Sequence, residues 1–450
     1  MKKSKLVKCT FGLIAMFSFF SCQIPSYTGS NSGVTDTSAT DEIPAADTSS
    51  ITDTEAEREV KDSYFVDVDL PDDYVRGFDA SYVYYYETDC SKKYCETDGT
   101  ETDIFTILKN HGVNTIRLRL WVDPDNAVTN GVVDDSFTES QGMNNLTRTI
   151  SLASRAKEAG LKVLLDFHYS DSWADPGKQI IPYAWQSITS ADEMAEKISS
   201  YTTEVLTSMK EADCEPDYVQ VGNEIDSGIL LHTKYDGSST TAASSTIAGT
   251  VGSTNFTAYL KAGCDAVRSF NSNIKIILHV TNRKPTSVIT QSISSSLDYD
   301  ILGLSYYPWE SSHGTIASLR ENVNEFKENY GKEVMVVESS MYWNYGEYDS
   351  NYSDLSYAAQ HLIDPDTSAV YSDLTTTSVT YNSTATTILE GSVSNQANSF
   401  RHIIEESVDC GASGFFAWGG DLQGDWKYAF FDYDGKAMDS IEIFNVSKSE

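Results

Sequence analysis

Asn114-Thr115-Ile116-Arg117-Leu118-Arg119-Leu120-Trp121 reads as a strand whose two faces differ sharply. Successive side chains of a strand point to opposite sides, so Ile116, Leu118 and Leu120 share one face and Arg117 and Arg119 the other. Two arginines on the inner face of a barrel require anions. Ionised carboxylates at neighbouring strand ends would satisfy them, and so would buried ion pairs that only set the strand's position.

Working outward, apolar runs of four to six residues bounded by Gly, Asp or Asn alternate with stretches of helical period. The candidate strands lie near Val75 to Asp79, Thr115 to Leu120, Lys162 to Phe167, Tyr218 to Gly222, Lys275 to His279, Ile301 to Ser305, Glu333 to Val337 and Gly414 to Trp418. Between them, sets such as Met194, Ile198, Tyr201 and Val205, or Ile316, Leu319, Val323 and Phe326, fall on one helix face. The helix expected around Ser287 to Ser296 is weak. Eight βα units in order predict a (β/α)8 TIM barrel, with long loops after strands 4 and 7, Leu231 to Thr254 and Trp343 to about Gly391. Rich in Ser, Thr and Tyr, these loops either wall a cleft or form solvated insertions.

The barrel is expected over residues 66–450. Residues 1–22 read as a signal peptide: Lys2, Lys3, Lys5 and Lys8 precede the apolar run Phe11 to Phe20 and then Ser21-Cys22. A small residue before Cys resembles a lipoprotein signal in which Cys22 carries the lipid, although Phe19 and Phe20 are bulky for that pattern. An extracellular or surface-anchored location follows. Residues 23–65, rich in Ser, Thr, Asp and Ala, cannot bury enough surface to offset ordering entropy and read as a tether.

With 66 acidic and 32 basic residues, the net charge of −34 argues against nucleic acid, anionic membranes and polyanions such as polygalacturonate. A neutral polymer suits the charge better, and acidity also keeps an exported protein soluble. Of seven cysteines, Cys90 and Cys95 flank a short polar loop and are candidates for a disulfide. Cys214, Cys264 and Cys410 read as small buried apolar residues. No spacing suits zinc, calcium is unsupported, and no cofactor is expected.

Glu224, in Val221-Gly222-Asn223-Glu224, and Glu338, in Val336-Val337-Glu338, each stand where an apolar strand ends. One such glutamate is ordinarily a surface charge. Two, brought together at the face where parallel strands end, form the pair a retaining glycosidase needs, one carboxyl protonated and one ionised, about 5 to 5.5 Å apart. Asp166 and His168 alternate onto a common strand face, and the loop His168 to Gln179, with Trp173 and Asp175, mixes flat aromatic faces with hydroxyl-binding groups suited to sugar. A metal reading of Asp166 and His168 lacks further ligands. Tyr306 and Tyr307 end strand 6 and Trp418 ends strand 8, at the same rim.

With these residues assembled, the chain resembles the arabinogalactan endo-β-1,4-galactanases, glycoside hydrolase family 53. The likeness runs from about Arg76 to Phe444. It rests on Gly77-Phe78-Asp79-Ala80-Ser81, on Gly112-Val113-Asn114 through Arg117-Leu118-Arg119-Leu120-Trp121-Val122-Asp123-Pro124, and on the His168 to Gln179 loop. Gln220-Val221-Gly222-Asn223-Glu224-Ile225, Leu302-Gly303-Leu304-Ser305-Tyr306-Tyr307-Pro308 and Phe430-Phe431-Asp432-Tyr433-Asp434-Gly435-Lys436-Ala437 complete it. The resemblance implies a monomeric hydrolase of pectin's β-1,4-galactan, with Glu224 as acid/base and Glu338 as nucleophile. It also implies that Asn223 holds the sugar's 2-hydroxyl and that Trp418 forms the floor; Asp79 and Arg117 are further candidates for substrate contact. Gly419-Gly420 replaces the family's Glu-Pro, Val280-Thr281-Asn282-Arg283 replaces a Gly-containing turn, and the calcium loops of some members find no match. The catalytic pair would also serve a related glucanase, mannanase or xylanase, and a non-catalytic glycan-binding surface lipoprotein is a third reading.

Overall fold

The computed structural model describes residues 64, 66, 68–132, 143–283, 297–344, 351–424 and 426–445. Eight strands form its centre: β1 (Val75–Asp79), β2 (Thr115–Leu120), β3 (Lys162–Phe167), β4 (Tyr218–Val221), β5 (Lys275–Thr281), β6 (Ile301–Ser305), β7 (Glu333–Ser339) and β8 (Gly414–Ala417). All pair in parallel and in sequence order, and β8 closes on β1. The expected barrel is borne out; β5 and β7 run two residues further, and β4 and β8 stop one residue sooner, than the apolar runs suggested.

Among the described residues, six helices pack around the strands: α1 (Ile104–Asn110), α2 (Leu146–Glu158), α3 (Ala191–Glu211), α4 (Thr254–Phe270), α5 (Ile316–Tyr330) and α6 (Val393–Asp409). Each begins behind a residue whose side chain accepts an orphan N–H of the first turn: Asp103, Asn145, Ser190, Ser253, Thr315 and Ser392. Such caps are worth about 1 kcal/mol each. The apolar faces predicted for α3 and α5, including Met194, Ile198, Val205, Ile316, Leu319 and Val323, are fully buried. The region of the weak expected helix, Ser287 to Ser296, lies outside the described residues, as do the signal segment, Cys22 and almost all of the tether.

Inside the barrel, alternation sets out layers. Val75, Leu164, Ile277, Ile301, Met335, Val337 and Phe416 form an apolar plug, and the polar inward residues of the same strands lie nearer the C-terminal mouth. Gly77 makes room for Phe416, whose ring would overlap any Cβ at that position. The loop after β4 carries two small antiparallel pairs, Gly228–Ile229 with Gly249–Thr250 and His232–Tyr235 with Thr240–Ala242. The described part of the loop after β7 holds a helix, Asn351–His361, and a hairpin, Thr376–Tyr381 with Thr384–Leu389. The described parts of these insertions are therefore folded structures.

The candidate disulfide does not form: no bond joins Cys90 to Cys95. Cys95 is tied through its backbone to Gly435 and Ala437, whereas Cys90 closes the π-helical turn Tyr85–Asp89. Cys214, Cys264 and Cys410 are buried, as expected.

Candidate active site

Arg117 is the hub of the barrel mouth, with no exposed surface. Its Nη1 donates to Asp79 Oδ2 at 2.9 Å, and its Nη2 reaches Asp166 Oδ2 at 2.8 Å, Asn223 Oδ1 at 2.9 Å and Glu338 Oε1 at 2.8 Å. The anions that the β2 pattern requires are, for Arg117, carboxylates of β1, β3 and β7; Arg119 instead has Asp79 Oδ1 at 3.6 Å and lies over the rings of Trp173 and Tyr82. Burial alone would push the Asp166 carboxyl up, but Arg117 and His168 outweigh it and hold it below the usual range. Gln220 Nε2 donates to Asp166 Oδ1 at 2.5 Å, completing its hydrogen bonds.

Glu338 faces the axis because β7 breaks register. Leu304 pairs with Val336 but Ser305 with Glu338, so Val337 is the extra residue of a bulge. Strict alternation would have sent Glu338 outward with Val334 and Val336; a bulge re-aims a side chain in this way. Its Oε2 accepts the Tyr307 hydroxyl at 2.6 Å, so a guanidinium and a phenol both face this carboxyl.

Glu224 follows β4 on a distorted backbone, with φ of +83° at Gly222 and +43° at Glu224 itself. A left-handed glutamate costs about 1–2 kcal/mol and needs local support. The Glu224 N–H points to His279 Nδ1 at 3.3 Å, and the Ile225 N–H to the His279 carbonyl at 3.0 Å. The Glu224 side chain is half-buried and, among the described residues, forms no ion pair. Burial, then the charge of Glu338 and of Asp226, raises its pKa well above the ordinary value. The Ser305 hydroxyl lies 2.7 Å from Glu224 Oε1 and 3.5 Å from Glu338 Oε2. Sharing one hydroxyl keeps the two carboxyls closer than the roughly 6.5–9.5 Å of an inverting pair.

The remaining predicted residues divide. Trp173 and Trp418 are half-buried with ring centroids 6.1 Å apart, and Tyr307 packs edge-on to Trp418 at 6.2 Å. His168 accepts the Ala174 N–H at Nδ1 and shapes the Trp173 loop. Asp175 sits at the rim, where its Oδ1 accepts the N–H groups of Gly177 and Lys178. Asp79 and Asp166 lie beneath the mouth, committed to Arg117 and fully covered. Tyr306 does not join the group: alternation after Ser305 turns it outward, fully buried near Tyr371 and Glu406.

Gln220, His279 and Ser305 belong to the site and went unnoticed as candidates. Each alternates with inward apolar or glycine neighbours on its strand, a signal that the Arg117/Arg119 pattern already carried. Among the described residues, no group of three or more His, Cys, Asp or Glu side chains is placed to hold a metal ion, and no helix is long and apolar enough to cross a membrane.

The sequence profile of glycosyl hydrolase family 53 matches residues 75–449. An endo-beta-1,4-galactanase of Bacillus subtilis is 36% identical over 60% of this chain and 57% of its own length, so the chain spans little more than half of that relative. An arabinogalactan endo-beta-1,4-galactanase of Cellvibrio japonicus is 33% identical over 61% of this chain and 67% of its own. The solved GH53 catalytic domain of Ignisphaera aggregans superposes with a TM-score of 0.65 at 31% identity, covering 83% of this chain and 96% of that one. With its barrel, its paired glutamates and a profile match over most of its length, the chain belongs to glycosyl hydrolase family 53.

Proposed function

We propose that this protein is an endo-β-1,4-galactanase that hydrolyses the galactan side chains of pectin with retention of configuration. One observation supports the mechanism: two carboxyls approach the same Ser305 oxygen yet have opposite surroundings, Glu338 against Arg117 and Tyr307, Glu224 with no ion pair among the described residues. The galactan substrate is supported by the relatives' names.

Glu338, whose negative charge is matched by Arg117, attacks the anomeric carbon. As that C–O bond forms, the glycosidic bond breaks and protonated Glu224 gives its proton to the leaving oxygen. Glu224, now ionised, takes a proton from water, whose oxygen displaces Glu338 and regenerates both groups. Trp418 and Trp173 offer flat faces to the sugars, Asn223 contacts the 2-hydroxyl, and Asp175 lines the rim.

Reducing-end release from galactan, compared with cellulose, mannan and xylan, tests the substrate; cleavage confined to another polymer would reject it. Glu338→Gln is expected to bind galactan but lose turnover by roughly 10³-fold or more. A Glu338→Gln enzyme with wild-type turnover would remove the nucleophile assignment, and galactan binding without cleavage by the wild-type protein would support the binding-protein alternative. The chain is further proposed to be exported and held by lipid at Cys22, on the strength of its basic, apolar and Ser21-Cys22 succession. Cys22→Ala should then move the protein from the membrane fraction to the medium, and an unchanged membrane fraction would count against the anchor.

A further inference from the structure

Ser305 ends β6 where the β7 bulge sets Glu338 opposite it. Its hydroxyl meets three groups: Glu224 Oε1 at 2.7 Å, His279 Nε2 at 2.8 Å and, more distantly, Glu338 Oε2 at 3.5 Å. The direction of these bonds follows from which ring nitrogen of His279 carries the hydrogen. The Glu224 N–H points to His279 Nδ1, which makes that nitrogen an acceptor and leaves the ring hydrogen on Nε2. Asn223 Oδ1, 2.9 Å from the same nitrogen, takes hydrogens from Arg117 and Gln220 instead. Burial, reinforced by the Arg117 charge, holds the imidazole well below its ordinary range, so it is neutral.

His279 Nε2–H therefore donates to Ser305 Oγ, and the serine's single hydrogen goes to the nearer carboxyl oxygen, Glu224 Oε1. An acid that accepts a hydrogen bond at Oε1 carries its own proton on Oε2. We infer that Ser305, oriented by His279, is a positioning residue that reserves Glu224 Oε2 for the proton exchanged with the glycosidic oxygen and then with water. The inference rests on the reading of Glu224 as acid/base. No proton is consumed by the relay: Ser305 and His279 end each half-reaction as they began, while the Oε2 proton leaves to the sugar oxygen and returns from water. The other charged and titratable groups that act on Glu224 are Glu338, Asp226, Asp175 and Tyr307.

The test measures Ser305→Ala on galactan and on 2,4-dinitrophenyl β-galactobioside, whose phenolate departs without a proton. On galactan, kcat/KM should fall roughly 10- to 100-fold, and its alkaline limb should move to higher pH because a donor to the carboxylate is lost. On the aryl glycoside, kcat/KM should stay within about threefold of wild type. Ser305→Cys, which keeps the volume but donates weakly, should change both in the same direction by less, and it replaces the alanine variant if that one fails to fold. Equal losses on the two substrates, or an unmoved alkaline limb in a folded variant, would overturn the role. Glu224→Ala, run alongside, separates the two ideas. If it keeps galactan activity, the acid/base assignment itself fails; if it loses that activity while Ser305→Ala behaves as wild type, only the part given to Ser305 fails.

Discussion

At the residue scale, the site is organised by one buried cation and one uncompensated acid. Arg117 draws Asp79, Asp166 and Glu338 onto a single guanidinium, and truncating it would leave several buried carboxylates unpaired, which is why such hubs tolerate little change. Glu224 is the converse case. Its folded-state pKa lies well above the ordinary carboxyl value of about 4.3, so the folded protein holds a proton that the unfolded chain releases. The stabilising contribution of the protonated form is complete below about pH 4.3 and is lost as pH rises through the folded-state value. Glu224→Gln removes that dependence. Its melting temperature should match wild type near pH 4 and exceed it increasingly towards pH 8, with turnover of galactan lost throughout. Thermal scans across pH check this; a difference that does not change with pH would show that Glu224 is not a protonated, strained acid.

At the element scale, what matters is where the strands depart from regularity. Asp166, His168, Gln220, His279 and Ser305 reach the mouth by simple alternation, whereas Glu338 needs the β7 bulge and Glu224 a left-handed turn. Stored strain of this sort is affordable only on a rigid support, which the apolar plug beneath the site provides. Gly77 and Phe416 are the tightest joint in that plug. Gly77→Ala should destabilise the barrel by about 1–3 kcal/mol, the usual cost of overpacking, seen as a lower denaturant midpoint with an unchanged slope. A wild-type midpoint would mean that the plug can shift to admit a methyl group. Both long insertions leave the same end of the barrel, since they follow β4 and β7, the strands that lead to the two glutamates.

At the scale of the whole molecule, the net charge of −34 bears on the proposed galactan substrate. A neutral polysaccharide is neither attracted nor repelled, and the charges that matter to the site are matched inside it. KM for galactan should therefore stay flat from low ionic strength to about 0.5 M salt, where a polyanion would bind progressively better as repulsion is screened. Initial rates at several salt concentrations measure it, and a steep salt dependence would indicate a charged ligand. The order of strands, the inward face of β2 and both glutamates were legible from sequence, because hydrophobic periodicity is local and parallel strands must end together. The sequence by itself thus determined the barrel, the apolar faces of its helices and the residues available at its mouth. Only the tertiary structure decided that Cys90 and Cys95 stay apart, that Tyr306 turns away, that the insertions fold, and that one serine hydroxyl spans both carboxyls. Those outcomes depend on register shifts, left-handed residues and contacts between chain segments far apart in sequence, which no local pattern of side chains encodes.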